Sequence, residues 1–373
     1  MASLQEVLER ETREGELYER LERDWVHCHA CGHDCRIPDG ARGVCQVRIN
    51  RGGRLLVPWG YVGGVQCDPV EKKPFFHAYP GALAYSFGML GCDLHCGYCQ
   101  NWVTSQALRD EAAVAAPLRA APEQLVDEAR RLGAKILVST YNEPLITSEW
   151  AVAIFTQARA AGLVTGFVSN GNATAQALEY LHPFVDLYKV DLKSFDDRRY
   201  RRLGGRLQPI LETIRGLSRM GFWVEIVTLL VPGFNDSEAE LEGLTRFVAD
   251  VSPDIPWHVT AFHKDYKMTE PANTTAQMLT RAAAIGRRNG LRFVYAGNLP
   301  GRVGGLENTY CPQCGTLVVE RYGYVIRRYR LAPDGGCPSC RAAIPGRWSA
   351  AFEGQISASP FLPGRRRSAA SSP

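Results

Sequence analysis

Residues 91 to 101 read GCDLHCGYCQN and set Cys92, Cys96 and Cys99 in a Cys-x3-Cys-x2-Cys spacing, directly after the strand-like run Ala82 to Leu90. Gly88, Gly91 and Gly97 let this loop fold around a bulky inorganic core. Three thiolates can hold three irons of a 4Fe-4S cluster and leave the fourth open to another ligand, whereas an electron carrier ordinarily has four protein ligands. An open iron points to chemistry rather than storage. The same residues also admit a zinc site shared with His95, or reactive but unrelated thiols.

Beyond the loop, apolar runs at 135–140, 163–168, 185–192, 222–231, 256–262 and 291–296 are short, rich in Val, Ile and Phe, and bounded by turn residues. Helix-like segments near 121–132, 148–161, 174–182, 208–220, 237–250 and 274–289 alternate with them. Ser237 and Glu240 have the spacing of a capping box, and Gly133, Gly162, Gly221 and Gly290 stand where helices should stop. The alternation predicts an α/β fold, a partial or complete TIM-like (β/α) barrel, with six, seven or eight units equally compatible.

Such a fold gathers functional residues where strands end. One rim then collects the cysteine loop, Tyr141-Asn142-Glu143-Pro144, Ser169-Asn170-Gly171, Asp191 and Lys193, Val231 to Asn235, His263 to Lys267, and Gly297-Asn298. Singly, each is ordinary turn chemistry. Their concurrence above a metal loop makes them candidates, and Lys193 with Glu143 suits the carboxylate and ammonium of an amino acid.

The chain has 373 residues, 45% hydrophobic and 22% charged, which fits a globular protein with one large domain and small appendages. A net charge of +4 gives no argument for wrapping nucleic acid, and none is expected as a partner. No apolar run approaches the roughly 20 residues that span a bilayer. A soluble, cytoplasmic protein with no membrane partner is expected. No phosphate loop, serine triad or dinucleotide fingerprint competes for the site.

Twelve cysteines are too many for packing alone in a reducing compartment. Cys311, Cys314, Cys337 and Cys340 form two Cys-x2-Cys knuckles around VVERYGYVIRRYRL, which reads as a zinc ribbon, with a rubredoxin-like iron or an auxiliary cluster as alternatives. Interleaved Arg321, Tyr322, Tyr324, Arg327 to Tyr329 and Arg330 read as the solvated face of a hairpin. Cys28, Cys31, Cys35 and Cys45 form a second tetrad, with His27, His29 and His33 in reach; zinc is favoured over a second iron-sulfur cluster. Cys67 has no obvious partner. The expected organisation is a charged helix over 1–24, a Cys-rich knuckle and lead-in over 25–81, the barrel over 82–305, the zinc-ribbon-like module over 306–350, and a tail over 351–373 with a disordered end.

The sequence resembles radical S-adenosylmethionine enzymes, over nearly the whole chain. The resemblance is to the radical SAM component of the AmmeMemoRadiSam system, itself similar to pyruvate formate-lyase activating enzymes. It is carried by the cysteine loop, DPVEKKPFFHAYPG at 68–81, CQNW, YNEP, VDLKSF, LVPGFND, PWHVTAFHKDYKM, GNLPG and ENTYCPQCG. It implies a 4Fe-4S cluster on Cys92, Cys96 and Cys99 and reductive cleavage of S-adenosylmethionine to a 5'-deoxyadenosyl radical that abstracts hydrogen from an unidentified substrate. It places Tyr98 near the adenine and Glu143 at the amino group. It places Ser169, Asn170, Asp191 and Lys193 at the ribose or carboxylate, and Val231, Pro232 and Gly233 along the adenine. Asn142 stands where the family's Gly-Gly-Glu segment has a glycine. His263, Asp265, Tyr266 and Lys267, with Glu71, Lys72, Lys73 and His77, either face substrate or pair with one another.

The resemblance also implies an electron donor such as flavodoxin or ferredoxin, and Memo-type and AMMECR-type proteins as partners. A glycyl-radical activase acting on a partner protein is the alternative enzyme. A zinc-knuckle nucleic-acid adaptor with an inactive barrel is the alternative of another class.

Overall fold

The computed structural model describes residues 3–349, 351, 352 and 354. An eight-stranded sheet forms its centre. Its strands, in chain order, are β1 (Gly64–Pro69), β2 (Leu83–Gly88), β3 (Ile136–Ser139), β4 (Val164–Ser169), β5 (Leu187–Asp191), β6 (Trp223–Leu230), β7 (Trp257–Ala261) and β8 (Val294–Gly297). Spatial order follows chain order: β2 to β8 run parallel, while β1 pairs antiparallel with β2. No ladder among the described residues joins β8 to β1, so the barrel is partial, with seven parallel strands.

Helices cover these strands: α1 (Pro122–Arg131), α2 (Ser148–Ala160), α3 (Ala175–Leu181), α4 (Asp197–Arg202), α5 (Leu207–Met220), α6 (Glu238–Val251) and α7 (Ala276–Arg288). In α5 the buried Ile210, Leu211, Ile214 and Leu217 recur every three or four residues, a single apolar stripe against the sheet. Gly221 then ends the helix at φ +84°, a conformation open to glycine without steric penalty. Parallel strands covered in this way are buried on both sides, as the wholly buried Ile136–Ser139 illustrates.

Three expectations need correction. The charged N-terminal helix spans only Leu4–Arg10, because Gly15 to Leu17 leave the helical path and donate to Leu55 O and Glu149, and Thr12–Glu14 pairs with Leu56–Pro58. The barrel sheet begins with β1 rather than near residue 82. Ser237 caps α6 without a side-chain bond, and Glu240, which would close the other half of a capping box, instead accepts from Ser194 Oγ at 2.5 Å and Phe195 N at 2.9 Å.

The C-terminal module is a three-stranded antiparallel sheet of Thr309–Tyr310, Leu317–Tyr322 and Val325–Tyr329. It shares an apolar cluster with Phe76, Phe293 and Tyr295, which fastens it to the barrel. Arg321 is buried rather than solvated: it donates to Phe76 O at 2.7 Å and Thr309 Oγ1 at 2.8 Å, and stands 3.5 Å from Glu71. The sequence reading of that hairpin as a solvated basic face therefore fails at Arg321. The expected disordered end of the tail lies outside the described residues. No helix among the described residues is long and apolar enough to cross a membrane.

Candidate active site

A cavity of about 420 Å³ opens at the C-terminal ends of the parallel strands. Cys92, Cys96, Cys99, Tyr98, Glu143, Ser169, Asn170, Asp191 and Lys193 all line it. Val231 to Gly233 do not; Val231 is buried behind the wall, packed in one cluster with Cys96 and Tyr98. Two close approaches shape the floor. A Cβ at Gly88 would lie 2.2 Å from Thr140 O, so only glycine lets β2 turn into the cysteine loop beside β3. At Gly91 a Cβ would lie 3.3 Å from Cys45 O, where the N-terminal knuckle meets the loop.

Glu143 reaches across to the end of β4. Its Oε1 accepts from Ser169 Oγ at 2.7 Å and Leu145 N at 3.0 Å, and its Oε2 from Asn170 N at 2.7 Å. Burial first, and then the nearby Asp93 carboxylate, push its carboxyl up to about 8 in spite of these bonds. Elsewhere in the lining, burial works against ionisation of Asp191, but Lys189 and Lys193 outweigh it and hold the carboxyl down to about 2. Lys189 is paired with Asp191, and Lys193 Nζ stands 3.2 Å away. The cavity thus has a carboxyl with no ion-pair partner among the described residues and two lysines sharing one carboxylate.

Sequence reasoning missed Asp93 and Lys189. Asp93 is fully buried and accepts from Asn170 and Asn172, each at 2.7 Å; adjacency to Cys92 was its only signal. Lys189 lies two residues from Asp191 along β5, on the same face of the strand, and lines the cavity.

Glu71, Lys72 and Lys73 line the cavity as well, and Lys73 bonds both Asp68 and Tyr141 OH at 3.3 Å. His77 does not; it is buried between Tyr295 OH and Pro345 O. The 263–267 segment clamps the cysteine loop from outside. Tyr266 stacks on Trp102 with centroids 5.1 Å apart and donates to Asp110, Lys267 pairs with Asp110 at 2.8 Å, and its backbone N donates to Gly97 O at 2.9 Å. Asp265 closes the same turn, while His263 meets Gln100 at 2.9 Å.

The sulfur sets differ. Cys311, Cys314, Cys337 and Cys340 converge with all four sulfurs within 4.8 Å of one another, and two pairs at 3.6 Å. A tetrahedral ion with bonds of about 2.3 Å requires sulfur separations of about 3.8 Å, so one ion fits there. Cys92, Cys96 and Cys99 form no such compact group among the described residues, and His95 turns onto Gly204, where a Cβ would lie 2.3 Å from its ring. A wider inorganic core suits that spread better than one ion. The cavity further offers the Tyr98 hydroxyl, buried and without a partner among the described residues. The loop, the carboxyl, the lysines and this hydroxyl together fit a cluster and an amino-acid ligand above it.

The N-terminal cysteines form no compact group either. His27 meets Glu19 at 2.9 Å and Asp34 at 2.8 Å, His29 meets Asp34 at 3.3 Å, and His33 meets Asp93 O at 3.0 Å, so the histidines engage carboxylates and backbone. Cys67, half-buried on β1, stands apart from all three sets.

A family model described as the radical SAM superfamily matches residues 88–244. An uncharacterised protein of Methanocaldococcus jannaschii is 38% identical over 313 residues, covering 83% of this chain and 92% of that protein. The pyruvate formate-lyase-activating enzyme of Staphylococcus aureus is 28% identical over 200 residues, covering 50% and 78%. A solved radical SAM methyltransferase from Sphaerobacter thermophilus aligns at 16% identity with a TM-score of 0.45, covering 64% of this chain and 71% of that one. The matched segment contains the cysteine loop, Glu143 and the Asp191 to Lys193 wall, and the chain belongs to the radical SAM superfamily of enzymes.

Proposed function

We propose that Cys92, Cys96 and Cys99 hold a 4Fe-4S cluster and that S-adenosylmethionine binds across the rim above it. The observation that carries this reading is the convergence on one cavity of three sulfurs, a carboxyl with no ion-pair partner among the described residues, and a lysine pair. When bound, these cofactors supply a 5'-deoxyadenosyl radical for hydrogen abstraction. The chain's own residues bind and orient. Glu143 receives the ammonium and thereby regains its ordinary charge; Lys193, steadied by Asp191, faces the carboxylate. Ser169 and Asn170 border the ribose, and Tyr98 lies along the adenine with Val231, Pro232 and Gly233 behind it. The substrate occupies the remaining cavity towards Lys72, Lys73 and Tyr324.

The test is electron paramagnetic resonance of the reduced, anaerobically reconstituted protein. Addition of S-adenosylmethionine should change the cluster signal, and an unchanged signal at saturating ligand would overturn the reading.

A second reading is favoured by the likeness to the pyruvate formate-lyase-activating enzyme: this chain places a glycyl radical on a partner protein. It requires a protein radical to appear on that partner. Either reading needs a low-potential donor of the flavodoxin or ferredoxin class, and the family resemblance adds Memo-type and AMMECR-type proteins as partners. The compact C-terminal tetrad holds structural zinc in this account.

A further inference from the structure

We infer that Cys28, Cys31, Cys35 and Cys45 bind a second iron-sulfur cluster, seated directly behind the cysteine loop of the active site. The sequence alone leaves zinc the stronger choice because histidines are near. In the structure the histidines turn from the thiolates: His27 and His29 converge with Glu19, ligand atoms within 4.8 Å of one another and no cysteine among them, and His33 meets the Asp93 carbonyl.

Sulfur placement discriminates further. One zinc ion gathers its thiolates to about 3.8 Å, as tetrahedral geometry requires. The C-terminal tetrad meets that condition; among the described residues no three of the N-terminal sulfurs lie within 4.8 Å of one another. They nevertheless lie near one another. The strands Val26–Cys28 and Arg36–Ile37 pair so that Cys28 N donates to Cys35 O at 2.9 Å, the Cys31 thiol feels the charges of Asp93, Cys28 and Cys45, and a Cβ at Gly43 would stand 3.8 Å from both Cys35 Sγ and Cys45 Sγ. Arg48, buried and ion-paired with Glu149, points Nη1 at Cys28 Sγ from 3.8 Å and complements thiolate charge. Four neighbouring thiolates gathered less tightly than the zinc-like set suit the corners of a 4Fe-4S cube, and the Cys92 loop shares that looser arrangement.

The knuckle is built onto that loop. Cys45 O approaches Gly91, His33 bonds Asp93 O, and Arg109 donates to both Val44 O at 2.5 Å and Leu94 O at 3.0 Å. Both residues flanking Cys92 therefore touch the second site.

The test is metal and sulfide analysis of a Cys92→Ala, Cys96→Ala, Cys99→Ala variant after anaerobic reconstitution. It should retain roughly four irons and four sulfides per chain, against roughly eight of each in the parent. Iron at background with zinc rising from one to two per chain would overturn the inference, as would a single iron without sulfide. A Cys28→Ala, Cys45→Ala variant should conversely lose about half the parent's iron while the signal that responds to S-adenosylmethionine persists. The inference does not depend on the proposed function: a variant that keeps iron while the parent never cleaves S-adenosylmethionine sinks only the latter.

Discussion

Asp93 lies one residue after Cys92 and accepts amide hydrogens from Asn170 and Asn172, both at 2.7 Å. The bond ties the cysteine loop to the end of the neighbouring strand β4, which also supplies Asn170 N to Glu143. One buried carboxylate therefore ties the cysteine loop to the segment after β4, and raises the Glu143 carboxyl from a distance.

Replacing Asp93 by alanine should leave two buried amides without an acceptor, at about 1–3 kcal/mol each. Thermal unfolding should show a midpoint lowered by several degrees and reconstitution should show reduced iron. Asp93→Asn, which keeps one acceptor, should fall between. An alanine variant with parental midpoint and iron content would refute the positioning role.

Glu143→Gln keeps shape and removes charge. Loss of a charge-assisted bond is worth about 1.5–3 kcal/mol, so the dissociation constant for S-adenosylmethionine should rise roughly 10- to 150-fold. Iron per chain should not change, because the proposed function sets Glu143 against the ligand rather than the cluster. Equilibrium dialysis with iron analysis separates these effects.

His77 governs part of the acid stability. Burial pushes its pKa down to about 4, against an opposing Glu225 carboxylate, and the Tyr295 hydroxyl occupies its Nε2. The unfolded imidazole takes its proton near 6.5 while the folded one resists until about 4. Stability from this group is therefore complete above 6.5 and declines as pH falls towards 4, by roughly 3 kcal/mol in all. A His77→Gln variant should show a flatter dependence of midpoint on pH over that window; an equally steep one would contradict the assignment.

Cys314→Ser should reduce zinc by about one per chain and destabilise the C-terminal module, with losses of roughly 4 kcal/mol or more where a structural metal is removed. Gly323, Tyr324 and Glu307 of this region line the cavity, so the variant should also alter substrate-site access. Zinc analysis and differential scanning calorimetry check the first effect.

Much of the fold was legible because buried parallel strands are written as short apolar runs, and because Gly133, Gly162, Gly221 and Gly290 adopt positive φ at the helix ends. The rim was legible for a related reason: residues following such strands must converge. Strand β1, GVQCDP, escaped notice since it carries little apolar alternation and is held by pairing with β2 alone. Glu240 was misread because Ser194 and Arg199, distant in sequence, claim its carboxylate. Asp110 meeting Tyr266 and Lys267 is likewise a tertiary contact that no local spacing encodes. Arg321 looked solvated in an Arg and Tyr alternation, yet Glu71 and the Phe76 ring cover it.

The most direct measurement is 5'-deoxyadenosine formation from S-adenosylmethionine by anaerobically reconstituted, reduced protein, alongside Cys96→Ala. The parent should form product and the variant none. A parent with a full complement of cluster that forms no 5'-deoxyadenosine, with a flavodoxin or ferredoxin donor and candidate partners present, would contradict the proposed function.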